Sequence, residues 1–453
     1  MALMLGEIAE HVGGVLYGQD LAVAGVSIDT RTLKPGVLYC AIKGVHFDGH
    51  DFVDLAGQSG AIAAIVDRKI ETTIPIVVVK DTRLALAEVA GFWRDRQAVK
   101  VVGVTGSNGK TTVKEMVAAV LGGDESVLYT QGNLNNDIGV PLTLLKLNDG
   151  HRFGVVEMGA NHAGEIAYTS RYARPDVAII TNVGPAHLEG FGSTDGVARA
   201  KGEIIDSLGP GGVAVLNFDD VFFKEWKTRA GGRRTIAFGL GEGADVRAGN
   251  IKTGIDRGTF VSTFDLIAGK TVVPMQLGLA GRHNVVNALA AAAAGLALGR
   301  TPEQIKQGLQ TVKPVTGRLQ PLLSRYGNIV IDDTYNANAA SLTAGLEVLA
   351  ECPGEPWVAL GAFGELGPDS AIIHREIGEL MKTKGVKRLL AVGALARNAV
   401  ETFGDGGCFF ESQQALIDTL RHQLTGQEAL LVKGSRSQRM EHVVSAIVDN
   451  FRN

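Results

Sequence analysis

Short apolar runs alternate with helix-forming segments along most of this 453-residue chain. From residue 99 onward the runs are continuous, as in VKVVGVTG, FGVVEMGA, DVAIITNVG and GGVAVLNFDD, and helix-forming residues follow them. Continuous apolar strands that alternate with helices are typical of a parallel sheet with helices on both faces. The pattern therefore predicts an α/β protein with a mostly parallel central sheet.

Two changes in this pattern divide the chain into three predicted domains. Residues 1–98 alternate short strands such as AIAAIV and IPIVVV with turn segments, which predicts a small mixed α/β domain. Residues 99–313 carry the parallel pattern and include the alanine-rich helix VVNALAAAAAGLALG. Residues 314–453 begin in the linker VKPVT, and their strand candidates NIVIDD, WVALGAF, RLLAVG and EALLVKG predict a Rossmann-like α/β domain.

Composition and charge narrow the class of protein. Hydrophobic residues make up 45% and charged residues 20% of the chain, which is typical of a globular protein with ample core. The formal net charge is -4 and no long lysine or arginine run occurs, so we expect no nucleic-acid partner. Cys40, Cys352 and Cys408 lack a C-x-x-C spacing, which disfavours a zinc site and fits a reducing cytoplasm. The longest apolar run, residues 288–299, is too short to span a bilayer, so we expect no membrane insertion.

The segment VVGVTGSNGKTT joins an apolar strand to the helix TTVKEMVAAVL through a glycine loop. Backbone N–H groups of such a loop and of the helix N-terminus converge, so that a phosphate group can bind there. We expect Lys110 to contact the β and γ phosphates and the Thr111 hydroxyl to ligate Mg²⁺. ATP is favoured over GTP because no N-K-x-D guanine motif occurs, and the predicted ATP-binding residues here are Thr105, Gly106, Ser107, Asn108, Gly109, Lys110, Thr111 and Thr112. A strand-to-helix turn without a ligand is the alternative.

The order of several further motifs resembles the Mur ligase family. These motifs are TGSNGKTT, YTQGNLNNDIGVPLTLL, EMGANHAGEI, TNVGPAHLEGFGS, ARAKGEI, GRHNVVNALAA and DDTYNAN, and they cover essentially the whole chain. Within the family, GNLNNDIGVPLT, DDTYNANAAS and VKGSRSQRME resemble the members that add D-alanyl-D-alanine to UDP-N-acetylmuramoyl tripeptide. The resemblance implies an ATP-dependent ligase of peptidoglycan synthesis that forms an acyl phosphate.

The resemblance also implies a metal site. Thr111, Glu157 and His187 are expected to ligate Mg²⁺. Lys201 is expected at the same metal site, where it carries a carbamate formed with CO₂. A carbamate forms only on a neutral amine, so we expect burial or nearby charge to lower the pKa of Lys201. From the residues alone, a helix cap is the alternative for Glu157. A turn residue is favoured for His187 and an exposed helix lysine for Lys201, and only the resemblance reverses these two interpretations.

Nucleotide and catalytic contacts are expected from two domains. By resemblance, Asn284 and Asn287 lie at the ATP base, and Arg318 and Asp333 reach the γ phosphate and ribose from the third domain. A helix N-cap with a first-turn residue is the alternative for the asparagines, and a surface ion pair is the alternative for the other two. The residues that the resemblance assigns to catalysis are Lys110, His187, Lys201, Arg318 and Asp333.

Two further groups of residues are expected to bind the substrates. By resemblance, the UDP-sugar contacts are Ser27, Asp29, Thr30, Arg31, Lys43, Gly44, Asp48, Gly49 and His50, although turn formation also explains the glycines. The residues at the incoming dipeptide are Asn336, Asn338 and Ser341. We expect a monomer that acts on these small molecules.

The chain departs from the family pattern at two positions. Ala362 stands where the family commonly has aspartate, and Ala339 stands where it commonly has proline. Both positions lie on the acceptor side, which leaves the details of amine binding open. The alternatives are a folylpolyglutamate-type or cyanophycin-type ligase, and a non-catalytic binding module that uses the nucleotide as a switch.

Overall fold

A computed structural model describes residues 3–122, 126–184, 188–256 and 259–448 of the chain. His187, one of the expected metal ligands, lies outside these residues. Within them, the strands form a two-stranded ribbon and sheets of five, nine and six strands that follow one another along the chain. The predicted three-domain α/β fold is confirmed.

The N-terminal part is a five-stranded sheet in the order β2-β7-β6-β5-β4. Strands β4 to β7 pair in parallel, β2 joins them antiparallel, and β1 pairs with β3 beside the sheet. Helix α3 begins where the Asp81 carboxylate accepts the first free N–H groups, those of Arg83 and Leu84. The elements are β1 (Leu3–Met4), α1 (Leu5–His11), β2 (Val15–Tyr17), β3 (Ala22–Val23), β4 (Val26–Ser27), β5 (Leu38–Cys40), α2 (Val53–Gln58), β6 (Ala63–Val66), β7 (Ile76–Val78) and α3 (Thr82–Asp95).

The central part is a nine-stranded sheet in the order β16-β15-β14-β13-β12-β11-β8-β10-β9. Its pairs from β9 to β14 are parallel, as the continuous apolar runs predict. The elements are β8 (Lys100–Thr105), α4 (Lys110–Leu121), β9 (Val127–Tyr129), α5 (Gly139–Leu144), β10 (Phe153–Glu157), α6 (Glu165–Ala173), β11 (Val177–Ile180), α7 (Leu188–Phe191), α8 (Thr194–Asp206), β12 (Val213–Asn217), α9 (Phe223–Ala230), β13 (Arg234–Gly239), β14 (Val246–Asp256), β15 (Thr259–Ala268), β16 (Thr271–Leu277), α10 (Gly281–Ala297) and α11 (Pro302–Gln310).

The apolar runs do not predict the antiparallel extension formed by β14, β15 and β16. In β15 and β16 buried and more exposed positions alternate, because only one face of these strands packs on the core. The alanine-rich helix α10 is buried under the parallel strands and the extension. In the part of the chain that the structure describes, no helix is long and apolar enough to cross a membrane.

The C-terminal part is a six-stranded sheet in the order β17-β18-β22-β19-β20-β21. All its pairs are parallel except β17 with β18. The carboxyl ends of β18, β19 and β22 therefore meet at one edge, where α/β proteins bind ligands. The elements are β17 (Gln320–Leu323), β18 (Ile329–Asp333), α12 (Ala339–Glu351), β19 (Glu355–Gly361), α13 (Ser370–Thr383), β20 (Arg388–Val392), α14 (Arg397–Phe403), β21 (Gly407–Phe410), α15 (Gln413–Gln423), β22 (Glu428–Lys433) and α16 (Glu441–Ile447).

Helix α3 joins the N-terminal sheet to the central sheet. Its apolar side packs in one core with residues of both parts, among them Leu144 and Tyr172 of the central part. The Trp93 indole N–H donates to the Leu147 carbonyl oxygen at 2.8 Å, so the buried polar group is satisfied across the boundary. The first two domains therefore share a hydrophobic core.

We expect Trp93→Ala to lower the free energy of unfolding by about 3–5 kcal/mol, because it removes a large buried side chain and leaves a cavity. Urea unfolding followed by circular dichroism measures this change. Val221→Ala is the matched control, since Val221 is 89% exposed and its truncation should change stability by less than about 0.5 kcal/mol. Equal effects of the two variants would contradict the shared core.

Candidate active site

A cavity of about 620 Å³ lies between the central and C-terminal sheets. Its walls come from the phosphate loop, the segment after β10, and the carboxyl ends of β18, β19 and β22. The structure thus brings together predicted residues from both domains, namely Ser107, Asn108, Gly109, Lys110, Thr111, Glu157, Arg318, Asp333, Asn336, Asn338 and Ser341. Predicted residues within the described ranges that do not line it are Thr105, Gly106, Thr112, Lys201, Asn284, Asn287 and those of the N-terminal domain.

Close packing at two glycines restricts the conformation of the phosphate loop. Gly106 has φ 145°, and an added Cβ would lie 1.9 Å from the Thr181 hydroxyl oxygen. Gly109 has φ 80°, and an added Cβ would lie 2.5 Å from the Asn287 side-chain oxygen. The carbonyl of Asn108, between them, accepts a hydrogen bond of 2.6 Å from the same Thr181 hydroxyl. Both glycines are therefore required by conformation and by space.

The Lys110 ammonium turns back over the loop. It donates to the carbonyl oxygens of Gly106 at 2.8 Å and Ser107 at 3.3 Å. Burial lowers the pKa of Lys110; the carboxylate of Glu157 opposes this shift and the Arg318 guanidinium reinforces it. A partly buried cation beside a cavity is suited to hold an anionic phosphate group.

Glu157 ends strand β10 with one satisfied and one unsatisfied carboxylate oxygen. Its Oε1 accepts from the Asn135 amide at 2.9 Å, and its backbone N–H donates to the Thr130 hydroxyl at 2.9 Å. Its Oε2 is buried and has no hydrogen-bond partner among the described residues. A buried carboxylate oxygen in this state is costly unless a cation binds it. Asn135 orients this carboxylate. The sequence analysis does not identify Asn135, although it lies in the polar segment GNLNND of a family motif.

The donor set fits magnesium rather than a metal that needs a dense protein cage. No group of three or more His, Cys, Asp or Glu residues that could hold a metal occurs within the described ranges. Magnesium is usually held by one or two carboxylates together with phosphate oxygens and waters. The free oxygen of Glu157 and the hydroxyl of Thr111, both at the cavity, satisfy that requirement.

Arg318 reaches from the C-terminal domain to the phosphate loop. Its guanidinium donates to the Thr111 hydroxyl at 3.2 Å, across 207 residues of sequence. Asp333 is buried and forms an ion pair with Lys433, whose ammonium also donates to the Asn336 carbonyl at 3.0 Å. The alternative of a surface ion pair is therefore wrong. The sequence analysis does not identify Lys433 as a site residue. Its position at the end of the apolar strand EALLVKG indicates the sheet edge at which Asp333 also lies.

Asn338 makes a second contact between the domains. Its side-chain N–H donates to the Asn108 side-chain oxygen at 2.8 Å. Its own side-chain oxygen accepts from the Ser341 backbone N–H at 2.8 Å, which caps helix α12. Asn338 and Ser341 thus form the beginning of α12, and Asn338 also contacts the phosphate loop, which sequence spacing does not reveal.

Lys201 lies in helix α8 and is 2% exposed. Burial, followed by the nearby charge of Lys110, lowers its pKa to about 7. Its ammonium lies 5.4 Å from the centre of the Phe191 ring. The expected lowering of the pKa is confirmed, and the alternative of an exposed helix lysine is wrong.

Asn284 and Asn287 lie buried in the first turns of α10. The helix begins at Gly281, so the alternative of an N-cap at Asn284 is wrong. The Asn284 amide donates to the Ala280 carbonyl at 2.8 Å, and the Asn287 amide donates to Asn284 at 3.1 Å. The Asn287 side chain lies so close to the phosphate loop that a Cβ added at Gly109 would be 2.5 Å from its oxygen.

The predicted UDP-sugar residues form two tight turns in the N-terminal domain. Arg31 holds Asp29 with two hydrogen bonds of 2.9 and 2.7 Å, which lowers the pKa of Asp29 to about 2. In the second turn, Asp48 accepts from the Nδ1 of His50 at 2.5 Å while the Nε2 of His50 accepts from the Asp67 backbone N–H at 2.9 Å. The remaining predicted residues, Ser27, Thr30, Lys43, Gly44 and Gly49, lie in or beside these turns.

The structure explains Ala339, whereas nothing in it explains alanine at position 362. Ala339 is the first residue of α12, where proline is favoured because its fixed φ fits the helix, and alanine also fits. Ala362 is buried and its carbonyl accepts from the Ser435 hydroxyl at 2.7 Å. The adjacent loop is held by His374, which accepts from the Phe363 backbone N–H at 3.0 Å.

The site thus combines a phosphate loop on a parallel sheet with an arginine and an aspartate of another α/β domain. The chain belongs to the Mur ligase family. Three family models match it in order: the catalytic domain over residues 22–94, the middle domain over residues 104–295 and the glutamate ligase domain over residues 317–436.

Within the family, the chain is similar over its full length to one kind of ligase. It is 43% identical to UDP-N-acetylmuramoyl-tripeptide–D-alanyl-D-alanine ligase of Escherichia coli, covering 99% of both chains. It is 34% identical to the ligase of that name from Bacillus subtilis, covering 98% of both. Its fold matches MurF from Acinetobacter baumannii with a TM-score of 0.92, 36% identity and 98% coverage of both chains. It also matches MurF from Thermotoga maritima in complex with ADP, with a TM-score of 0.84, 31% identity, and coverage of 93% of this chain and 96% of that one.

We expect Glu157→Gln to weaken Mg²⁺ binding about tenfold or more, because an amide cannot supply the second anionic oxygen. Isothermal titration of Mg²⁺ in the presence of ADP measures the affinity. Glu303→Gln, in the first turn of α11, is the control and should leave it unchanged. Equal Mg²⁺ affinity in Glu157→Gln and the unmodified protein would remove the metal assignment.

Proposed function

We propose that this protein is an ATP-dependent ligase that joins D-alanyl-D-alanine to UDP-N-acetylmuramoyl tripeptide, the reaction named for its relatives. The contact between Arg318 and Thr111 carries the proposal, because it places a phosphoryl-stabilising cation of the C-terminal domain at the phosphate loop. A carboxylate is a poor electrophile until it is phosphorylated. The cavity combines a phosphate site with an edge of the C-terminal sheet where an amine can enter.

Phosphoryl transfer uses charges from both domains. Lys110 and Arg318 bind the β and γ phosphates and stabilise the charge that develops on the transferred group. When bound, Mg²⁺ neutralises phosphate charge, and Glu157, Thr111 and His187 are the residues that would hold it. Because the cations sit on two domains, the complete site exists only when the domains are together, which also excludes water from the acyl phosphate.

Asp333 and the asparagines of α10 complete the nucleotide site in this proposal. The ion pair with Lys433 fixes the Asp333 carboxylate, which then accepts hydrogen bonds from the ribose. Asn284 and Asn287 lie on the side of the adenine base, and Asn287 packs close to Gly109 of the loop. Thr105, Gly106, Ser107, Asn108 and Thr112 shape the phosphate loop around the anion.

Lys201 carries a carbamate in the active protein. A pKa of about 7 leaves a large neutral fraction at physiological pH, which is the form that reacts with CO₂. The product is an anion, and its charge offsets that of the neighbouring Lys110. The cost of burying Lys201 is then partly offset, because the carbamate anion is compensated by the nearby Lys110 cation.

The peptide substrates bind to different domains. The turns around Asp29 and His50 bind the UDP-sugar, and Asn336, Asn338 and Ser341 face the incoming dipeptide. Residues 1–98, 99–313 and 314–453 are the corresponding UDP-sugar, ATP and dipeptide domains. We further propose that the protein acts as a monomer in the cytoplasm.

The decisive experiment measures phosphate release from ATP with Mg²⁺, adding the UDP-linked tripeptide and D-alanyl-D-alanine singly and together. We expect a UDP-linked pentapeptide by mass spectrometry only with both substrates, and phosphate release that needs the tripeptide. Lys110→Ala should lower turnover by at least about a thousandfold, because it removes a phosphate-binding charge. Phosphate release independent of both peptides would contradict the ligase.

We expect Lys201→Ala to lose most activity while it still binds ADP, and short carboxylates such as formate or acetate to restore part of it. The added carboxylate replaces the anion that the carbamate supplies. With limiting CO₂, unmodified activity should fall as the pH drops below about 7, because protonation removes the reactive amine, and bicarbonate should restore it. Full activity of the Lys201→Ala variant would contradict the proposed role of the carbamate.

A further inference from the structure

The Tyr335 ring lies against the guanidinium of Arg318. The Cζ of Arg318 is 4.2 Å from the ring centre, within the range of a cation–π contact. Tyr335 is half-buried and lines the cavity. No role has been assigned to this tyrosine, although its neighbours on the strand end, Asp333 and Asn336, belong to the site.

The backbone beneath the arginine is tied to the same tyrosine. Gly317 precedes Arg318 with φ 73°, and its carbonyl accepts from the Tyr335 backbone N–H at 3.1 Å. The Gly317 N–H donates to the buried carboxylate of Asp332 at 3.1 Å. An added Cβ on Gly317 would lie 3.2 Å from Tyr335, so the two backbones pack closely. The backbone hydrogen bond and the side-chain contact together hold the arginine and the ring in one relative position.

A second guanidinium approaches the same ring. The Cζ of Arg436 lies 6.0 Å from the ring centre, and Arg436 also forms an ion pair of 3.0 Å with Glu441. Because both arginines approach the ring centre, we infer that they interact with the electron-rich face of Tyr335 rather than with its hydroxyl. The ring therefore lies between the phosphate side of the cavity, marked by Arg318, and the side of the C-terminal motif SRS.

A free arginine side chain samples many rotamers, and ordering it at the moment of reaction costs entropy. Stacking on a fixed ring selects one plane for the guanidinium and leaves its N–H groups available along the edge. In this orientation one N–H already reaches the Thr111 hydroxyl at 3.2 Å. Preorganised charge of this kind is what stabilises a developing phosphoryl anion.

We propose that Tyr335 is a positioning residue, which holds the Arg318 guanidinium at the γ-phosphate position through its aromatic face. The proposal rests on the proposed function, because it assigns Arg318 to the γ phosphate. It predicts that the ring matters for a nucleotide with three phosphates and not for one with two.

The test compares the affinities of the full-length protein for AMP-PNP and ADP with Mg²⁺, and measures kcat for pentapeptide formation. We expect Tyr335→Leu to weaken AMP-PNP binding about fivefold or more without changing ADP binding, and to lower kcat about tenfold. Tyr335→Phe retains the face and should remain within about twofold of the unmodified protein. Tyr326→Leu, which removes a partly buried ring from another side of this domain, is the matched control and should change neither affinity.

A double-variant cycle separates positioning from a general structural role. In an Arg318→Ala background, Tyr335→Leu should have no further effect on AMP-PNP affinity, because the positioned group is absent. Equal losses of AMP-PNP and ADP affinity, or an additive double variant, would overturn the proposal. So would a Tyr335→Phe variant as impaired as Tyr335→Leu. The nucleotide affinities do not depend on the acceptor, so a failure of pentapeptide formation alone would count against the proposed function and not against the role of Tyr335.

Discussion

The packing of the phosphate loop against the end of β11 is the constraint on which the site depends. At Gly106 the loop passes so close to Thr181 that no side chain fits, and the Thr181 hydroxyl holds the next turn of the loop through Asn108. Asn108 in turn contacts Asn338 of the C-terminal domain. A loop held on both sides has little freedom left, so its N–H groups are already oriented before an anion arrives.

Several cations lie close together in the site, and their charges must be balanced by anions. Arg318 acts on the pKa of Lys110, and burial together with Lys110 lowers the pKa of the buried Lys201 to about 7. Uncompensated buried cations are unfavourable, so anions belong to the complete site. Phosphate groups and a carbamate are anions of that kind, whereas Lys433 already has its own partner in Asp333.

The strands and loops with a local signal could be predicted from the sequence. VKVVGV and FGVVEMG became β8 and β10 because continuous apolar residues favour a strand buried on both faces. The antiparallel β14, β15 and β16 carry weaker alternating patterns and were not predicted. Asn135, Lys433 and Tyr335 were also missed, because each acts on a residue that only the folded sheet edge brings near it.

The sequence by itself determined the phosphate loop and the family, since both depend on residue types at short, fixed spacings. The family resemblance also singled out Lys201, although its local sequence by itself favoured an exposed lysine. Only the tertiary structure decided that Lys201 is buried, that Arg318 reaches Thr111 and that Asp333 pairs with Lys433. Desolvation and charge–charge interactions depend on distances between residues that are far apart in the chain, and those distances exist only after the three sheets have packed together.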